Sequence, residues 1–299
     1  MEDQTRTFHV PVLLNEVLAG FNVQKNAWYV DGTAGGGGHI QAITHAGGRV
    51  VAIDQDSAAI AELIEKFKTE IVSKRVVVRE GNFRDLKLLV KDAGVDTIRG
   101  ILLDLGLSTY QIKDSGRGFS FMRDEGLDMR MSSKTLLSAK EIIHRYSESA
   151  LTEIFVKFGE EILAVPIARA IIEARRRKPI TTSRELADIV KTATKGKYFN
   201  PKIHAATKVF QALRIAVNNE LESLSLVMPD AWELLESGGR FAVINFHSLE
   251  DRIVKTFFRQ MEKQNRAIII SKKPIRASEE EIYSNRLSHS AKLRIAEKI

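Results

Sequence analysis

Four consecutive glycines stand in the segment Asp31-Gly32-Thr33-Ala34-Gly35-Gly36-Gly37-Gly38-His39, directly after an apolar run. Removing side chains from a strand-to-helix turn lets a ligand approach the backbone and receive its N–H groups. A lone glycine reads as a tight turn, but four in a row after a buried strand are hard to explain without a ligand. The dinucleotide pattern G-x-G-x-x-G fails in each register, because its last position falls on Ile40 or on Gln41. The triphosphate loop fails too, since no Gly-Lys-Ser/Thr follows. The turn is therefore rich in glycine without being built for a pyrophosphate or a triphosphate.

Carboxylates recur at the ends of the neighbouring apolar runs. Asp54 closes the second run, where a carboxylate is placed to accept hydrogen bonds from a ribose diol. Asn82-Phe83 lies just past the third, where an aromatic ring can pack on a nucleobase, and Asp104 closes the fourth. A single such aspartate is ordinarily a turn former. Several in the same structural position point to a ligand outside the carboxyl ends of the strands. A nucleoside without phosphates and with a small reactive group fits S-adenosylmethionine. Asp31 or Asp104 would then complement its ammonium or its sulfonium charge.

The elements that must position these residues follow from periodicity. The runs at residues 28–31, 49–54, 75–79 and 100–104 are short, apolar and rich in β-branched residues, as suits strands covered on both faces of a parallel sheet. Helical patterns lie between them, such as residues 57–70, and this alternation predicts a doubly wound α/β domain. The pattern then breaks. Residues 109–121 read as a glycine-bearing loop, and residues 136–193 are helical, with helix starts signalled by Ser138-Ala139-Lys140-Glu141 and Thr182-Ser183-Arg184-Glu185. Strand character returns at residues 239–246 after a Gly238-Gly239 turn, and again at 267–271 and 292–297. The expected organisation is a first part of the α/β domain at 1–110, a helical insert assigned to RNA recognition at 111–215, and a second part at 216–299.

The 299 residues contain no cysteine, which excludes disulfides, thiolate catalysis and iron–sulfur clusters, and no metal is expected. Lys and Arg exceed Asp and Glu by 45 to 38, a surplus that favours a polyanionic partner. No apolar run approaches the roughly 20 residues that span a bilayer, and no basic-then-apolar leader opens the chain. A cytoplasmic protein without a membrane partner is expected.

The chain resembles the RsmH (MraW) family, the 16S rRNA cytosine-N4 methyltransferases, over essentially its whole length. The likeness is carried by the glycine segment and by Ala52-Ile53-Asp54-Gln55-Asp56, Ile101-Leu102-Leu103-Asp104-Leu105-Gly106, Arg117-Gly118-Phe119-Ser120-Phe121-Met122-Arg123, Leu127-Asp128-Met129-Arg130-Met131 and Phe158-Gly159-Glu160-Glu161. Phe210-Gln211-Ala212-Leu213-Arg214-Ile215 and Phe246-His247-Ser248-Leu249-Glu250-Asp251-Arg252-Ile253-Val254-Lys255 complete it. The resemblance implies an α/β fold of the class I (Rossmann-like) S-adenosylmethionine-dependent type with an inserted all-helical domain. It implies cofactor contacts at Gly37, Gly38, His39, Asp54, Phe83, Asp104 and Gln111. It further implies a decoding-centre cytosine of 16S rRNA within the 30S subunit as substrate, with no DNA partner. The sequence departs from the family at Ser108-Thr109-Tyr110-Gln111, where a proline is usual before the glutamine, at His204-Ala205-Ala206-Thr207, which also lacks a common proline, and at His289, where an arginine is usual. Oligomeric state is left open, a homodimer included.

Many amino-methyltransferases hold their amine with an Asp/Asn-Pro-Pro-aromatic motif. This chain has no Pro-Pro pair, and Asp104-Leu105-Gly106-Leu107-Ser108 stands in its place, so residue chemistry alone does not fix the target atom. Asp104 and His247 are the candidate catalytic residues, His247 alternatively a helix cap. Tyr110, Phe119 and Phe121 are candidates to stack on a base taken out of its stack, the phenylalanines alternatively core. Arg169, Arg175, Arg176, Arg177, Lys178, Lys191, Lys195, Lys197 and Lys202 are read as phosphate contacts or as a solvated helix face. The competing functions are an NAD-dependent oxidoreductase, a non-catalytic ribosome-binding factor, and a methyltransferase acting on DNA or protein.

Overall fold

The computed structural model describes residues 11–195 and 204–299. The chain divides into two compact units, one made of Met1–Ser108 with Leu221–Ile299 and the other of Thr109–Glu220.

The first unit opens with α1 (Leu14–Phe21), β1 (Trp28–Asp31), α2 (Gly38–His45), β2 (Arg49–Asp54), α3 (Ser57–Lys66) and α4 (Lys68–Val72). It continues through β3 (Val76–Glu80), α5 (Leu86–Asp92) and β4 (Ile98–Asp104). The second unit then carries α6 (Thr109–Lys113), α7 (Ala139–Arg145), α8 (Glu148–Gly159), α9 (Ala164–Arg177), α10 (Ser183–Ala193) and α11 (Thr207–Asn218). The chain returns through α12 (Glu220–Leu234), β5 (Leu235–Asn245), α13 (Ser248–Lys263), β6 (Ala267–Ile269), α14 (Glu279–Ser284) and β7 (Lys292–Lys298).

Among the described residues the strands form one seven-stranded sheet, in the order β3-β2-β1-β4-β5-β7-β6. β1 to β5 run parallel, and β7 runs antiparallel to both β5 and β6. Successive side chains of a strand point to opposite faces, and each face here has its own core. Val51, Ile53, Ile101, Leu103, Phe241 and Val243 pack with Leu86, Val227, Trp232 and Phe258 from α5, α12 and α13. Their neighbours Val50, Ala52, Leu102, Ala242 and Ile244 pack with Val17, Ile40, Ile43 and Leu63 from α1, α2 and α3. Two covered faces explain why the strands read as continuous apolar runs.

Three local expectations need correction. The helix foreseen at 57–70 is interrupted at Phe67, a buried wedge between α3 and α4. The Gly238-Gly239 turn lies inside β5: register slips between Ile98↔Leu235 and Gly100↔Arg240, and Gly238 takes φ +75° where the chain bulges. The loop read at 109–121 begins with α6, five residues long and too short to show a helical period.

In the second unit both foreseen helix starts are reciprocal capping boxes, Ser138 with Glu141 and Thr182 with Glu185. Several segments shared with the family prove to be internal braces. Gly159 of α8 packs against α11, where a Cβ would lie 2.7 Å from the Lys208 carbonyl, and Gln211 of α11 donates to the Phe158 carbonyl at 3.0 Å. Buried Asn218 accepts from the Met131 N–H at 2.8 Å and donates to the carbonyls of Met129 (2.8 Å) and Arg214 (2.9 Å), which holds Met129 at φ +59°. Replacing Asn218 by Ala strips a buried N–H of its acceptor and buried carbonyls of a donor. That is expected to cost about 1–3 kcal/mol, read as a lower denaturant midpoint with methyl-donor affinity unchanged.

Candidate active site

The carboxyl ends of β2, β1 and β4 lie side by side, and register decides which side chains meet there. Asp31 pairs with Ala52 and Leu102, so Asp54 and Asp104 sit two residues further along and share its face of the sheet. Asp31 is 1% exposed. Its Oδ1 accepts the Thr33 N–H at 3.2 Å, and Thr33 Oγ1 in turn accepts the Asp104 N–H at 2.6 Å, tying the ends of β1 and β4. Asp54 accepts the Gly35 N–H on Oδ2 at 2.8 Å and the Asp56 N–H on Oδ1 at 2.9 Å. The Gln55 N–H also acts on this carboxylate, which leaves capacity for one further donor such as a hydroxyl.

Burial raises all three carboxyls above their ordinary range. Asp31 is pushed up to about 7, with Asp104 and Asp54 adding repulsion; Asp104 is pushed up to about 7, with Glu250 adding to it; Asp54 also rises. None of the three has a lysine or arginine as a direct ion-pair partner among the described residues. Buried negative charge without a paired cation suits a cationic ligand and repels a phosphate.

The glycine turn has a double purpose that its sequence does not reveal. Gly37 takes φ +74°, and a Cβ there would lie 2.5 Å from the Phe67 ring; a Cβ on Gly38 would lie 2.8 Å from Pro11. Packing therefore accounts for two of the four glycines, contrary to the expectation that only a ligand explains them. Gly35, at φ +47°, has no such neighbour: a Cβ there would meet only the Thr33 carbonyl, at 3.9 Å. Lys66 steadies the loop by donating to the Gly36 carbonyl at 2.7 Å. The N–H groups of the first turn of α2 have no intrahelical acceptor and point at whatever lies above the turn.

His39 is buried, and its Nε2 lies 3.1 Å from the Val12 carbonyl. Its ring is committed to the interior, which leaves the backbone as the part able to meet a cofactor. Phe83 begins a short 3-10 turn capped by Asn82 and packs partly against the core, with one side at the sheet edge. Gln111 is buried on α6 of the second unit.

His247 follows β5, next to β4, and is the N-cap of α13. Its Nδ1 accepts the Glu250 N–H at 3.4 Å, while its buried Nε2 lies 3.1 Å from Glu250 Oε1 and has no hydrogen-bond partner among the described residues. Glu250, 2% exposed, also accepts the N–H groups of Phe246 (2.8 Å) and His247 (3.3 Å). His247 is a helix cap, the alternative reading of this residue. Thr33 and Glu250 went unnoticed in the sequence. The signal for Glu250 was the His247-x-x-Glu250 spacing of a capping box.

In the second unit, Phe119 is buried and belongs to the core, while half-buried Phe121 stacks on exposed His204 (4.5 Å, 18°) with Phe210 edge-on at 5.3 Å. Tyr110, 43% exposed, and Phe121 are the more accessible of the three candidates for base stacking. Arg175 is also structural, its guanidinium bonded to the Ile143 carbonyl. Arg169 pairs with Glu148 at 3.4 Å and Lys178 with Glu185 at 2.8 Å. Arg176, Arg177, Lys191 and Lys195 remain exposed, and Lys197 and Lys202 lie outside the described residues.

The chain matches the MraW methylase family over residues 6–299. It belongs to that family. A Desulfotalea psychrophila protein named ribosomal RNA small subunit methyltransferase H is 45% identical over 294 residues, spanning 97% of this chain and 98% of its own length. A Carboxydothermus hydrogenoformans protein of the same name is 43% identical over 307 residues, with the same shares covered. The chain is thus a methyltransferase with S-adenosylmethionine as its methyl donor, and the carboxylates that end β1, β2 and β4, without an ion-pair partner among the described residues, fit that cation.

A carboxyl raised in the fold holds a proton that the unfolded chain releases near 3.8. Stability from Asp31 and Asp104 is therefore present below that value and declines as pH rises towards about 7. Thermal unfolding of the ligand-free protein is expected to show a melting temperature that falls across this window, with a flatter profile in Asp31→Asn. An Asp31→Asn profile as steep as that of the wild type contradicts this assignment.

Proposed function

We propose that this protein transfers a methyl group from S-adenosylmethionine to the exocyclic N4 of a decoding-centre cytosine in 16S rRNA, acting on the 30S subunit. The observation that carries the reading is the trio of carboxyls on one face of the strand ends, Asp31 buried and Asp54 and Asp104 half-buried, without an ion-pair partner among the described residues. The names of the relatives support small-subunit rRNA as substrate, and the resemblance to the cytosine-N4 family supports the atom.

The donor supplies an electrophilic methyl on a sulfonium centre, and the protein supplies alignment. Gly37, Gly38 and His39 present backbone at the turn, Asp54 accepts from the ribose diol, and Phe83 packs on the adenine. Asp31 faces the positive charge of the methionine part. The cytosine N4 is a weak nucleophile because its lone pair is delocalised into the ring. Asp104 accepts a hydrogen bond from this amine, which orients the lone pair in line with the methyl carbon. As the N–C bond forms and the C–S bond breaks, N4 sheds a proton, and a carboxylate that titrates near neutral pH receives it. His247 and Glu250 act as positioning residues that hold the end of β5 beside Asp104.

Asp104→Asn is expected to lower kcat by at least about a hundredfold while donor affinity changes only a few-fold, measured by radiolabel transfer to undermethylated small subunits with nucleoside mass spectrometry of the product. Collapse of donor affinity in this variant assigns Asp104 to the cofactor instead. In the second unit, Arg176→Gln with Arg177→Gln is expected to lower the salt slope of RNA binding by about 0.7–0.9 for each phosphate these side chains neutralise. Arg175→Gln is expected to lower the melting temperature and leave that slope unchanged.

A further inference from the structure

β7 is antiparallel to β5, and this brings its first residue to the edge of the sheet where the candidate active site lies. Lys292 pairs with Asn245, the last residue of β5, and its carbonyl accepts from Asn245 Nδ2 at 3.1 Å. Lys292 and Arg294 are two apart on the strand and so share a face, the one covered by α13. Arg294 makes a two-pronged ion pair with Asp251 in the first turn of α13, at 2.6 and 3.2 Å, with 10% and 17% of the two side chains exposed. Lys255 lies one helical turn beyond Asp251 on the same stripe of α13.

Lys292, Arg294, Asp251 and Lys255 thus form one group at the carboxyl end of β5. Arg294 satisfies the single acid. The two lysines act on Asp251 only through space, holding its carboxyl below the usual range together with Arg294. Neither ammonium has a hydrogen-bond or ion-pair partner among the described residues, and both side chains are partly exposed. Two positive charges stay uncompensated beside a pair already neutral.

Lysine ammonium groups of this kind, on a strand end and a helix, are point charges suited to phosphate oxygens. A base reaching Asp104 must leave its stack, and the phosphates on either side of it then pass over the sheet edge. We infer that Lys255 and Lys292 hold the backbone phosphates flanking the target nucleotide, and so form an RNA-binding strip on the catalytic unit itself. This rests on the reading of RNA as the substrate.

The test compares wild type with the double variant Lys255→Gln, Lys292→Gln and with Lys263→Gln, at the far end of α13, as control. Binding of a single-stranded oligouridylate, which has phosphates but no target base, is followed against salt, and methyl transfer to undermethylated small subunits is followed in parallel. The salt slope of the double variant is expected to be smaller by about 1.4, at about 0.7 for each phosphate neutralised on a single strand. Its KM for small subunits is expected to rise about tenfold or more, with kcat and donor affinity within about twofold. Lys255→Arg with Lys292→Arg keeps the charge and is expected to restore the slope. A double-variant slope equal to that of wild type and of Lys263→Gln overturns the strip, even if small subunits are methylated. A lowered slope with no methylation of small subunits by wild type retains the strip and overturns the rRNA substrate. A wild type that binds neither polyanion overturns both.

Discussion

Like charges brought together out of water are the constraint around which the catalytic unit is organised. Three neighbouring parallel strands end in aspartates on one face, and among the described residues no basic side chain pairs with them. Such an arrangement raises the free energy of the fold, and the surroundings contain it: Thr33 bridges Asp31 to the β4 backbone, the Gly35 and Asp56 N–H groups serve Asp54, and protonation removes part of the charge. The double core beneath, with one apolar layer on each face of the sheet, supplies the stability that permits the conflict. A cationic nucleoside relieves it, so the same repulsion that weakens the ligand-free protein favours binding.

Much of this was legible in the sequence because it obeys short periods. Continuous apolar runs gave the buried parallel strands, the serine and threonine capping boxes gave two helix starts, and the aspartates at 31, 54 and 104 end the strands whose runs they close. What stayed hidden depends on partners distant in the chain. The wedge at Phe67 has meaning only once α3 lies over the glycine turn, and the bulge at Gly238 only once β5 is paired with β4. His247 shows the same limit in reverse: its spacing to Glu250 is a capping signal, but the preference of cap positions for serine, threonine, aspartate and asparagine masks a histidine in that place.

The two units differ in how their family-shared segments are used. In the α/β unit these segments face the strand ends. In the helical unit many of them are structural: Asn218 clamps the Met129 backbone, Gly159 admits α11, and Phe119 fills the interior. The basic surplus divides similarly, since Arg175 and Arg294 are committed to internal contacts and only part of the positive charge remains for a polyanion.

The packing of Gly37 against Phe67 and of Gly38 against Pro11 bears on how such chains diverge. A descendant that ceased to bind its methyl donor would still need both glycines, because a side chain at either position collides with the protein's own interior whether or not a ligand is present. The aspartates would drift first, since each one replaced relieves repulsion and leaves no hole. A silent relative of this enzyme would therefore be recognised by neutral residues at 31, 54 and 104 beneath an intact glycine turn.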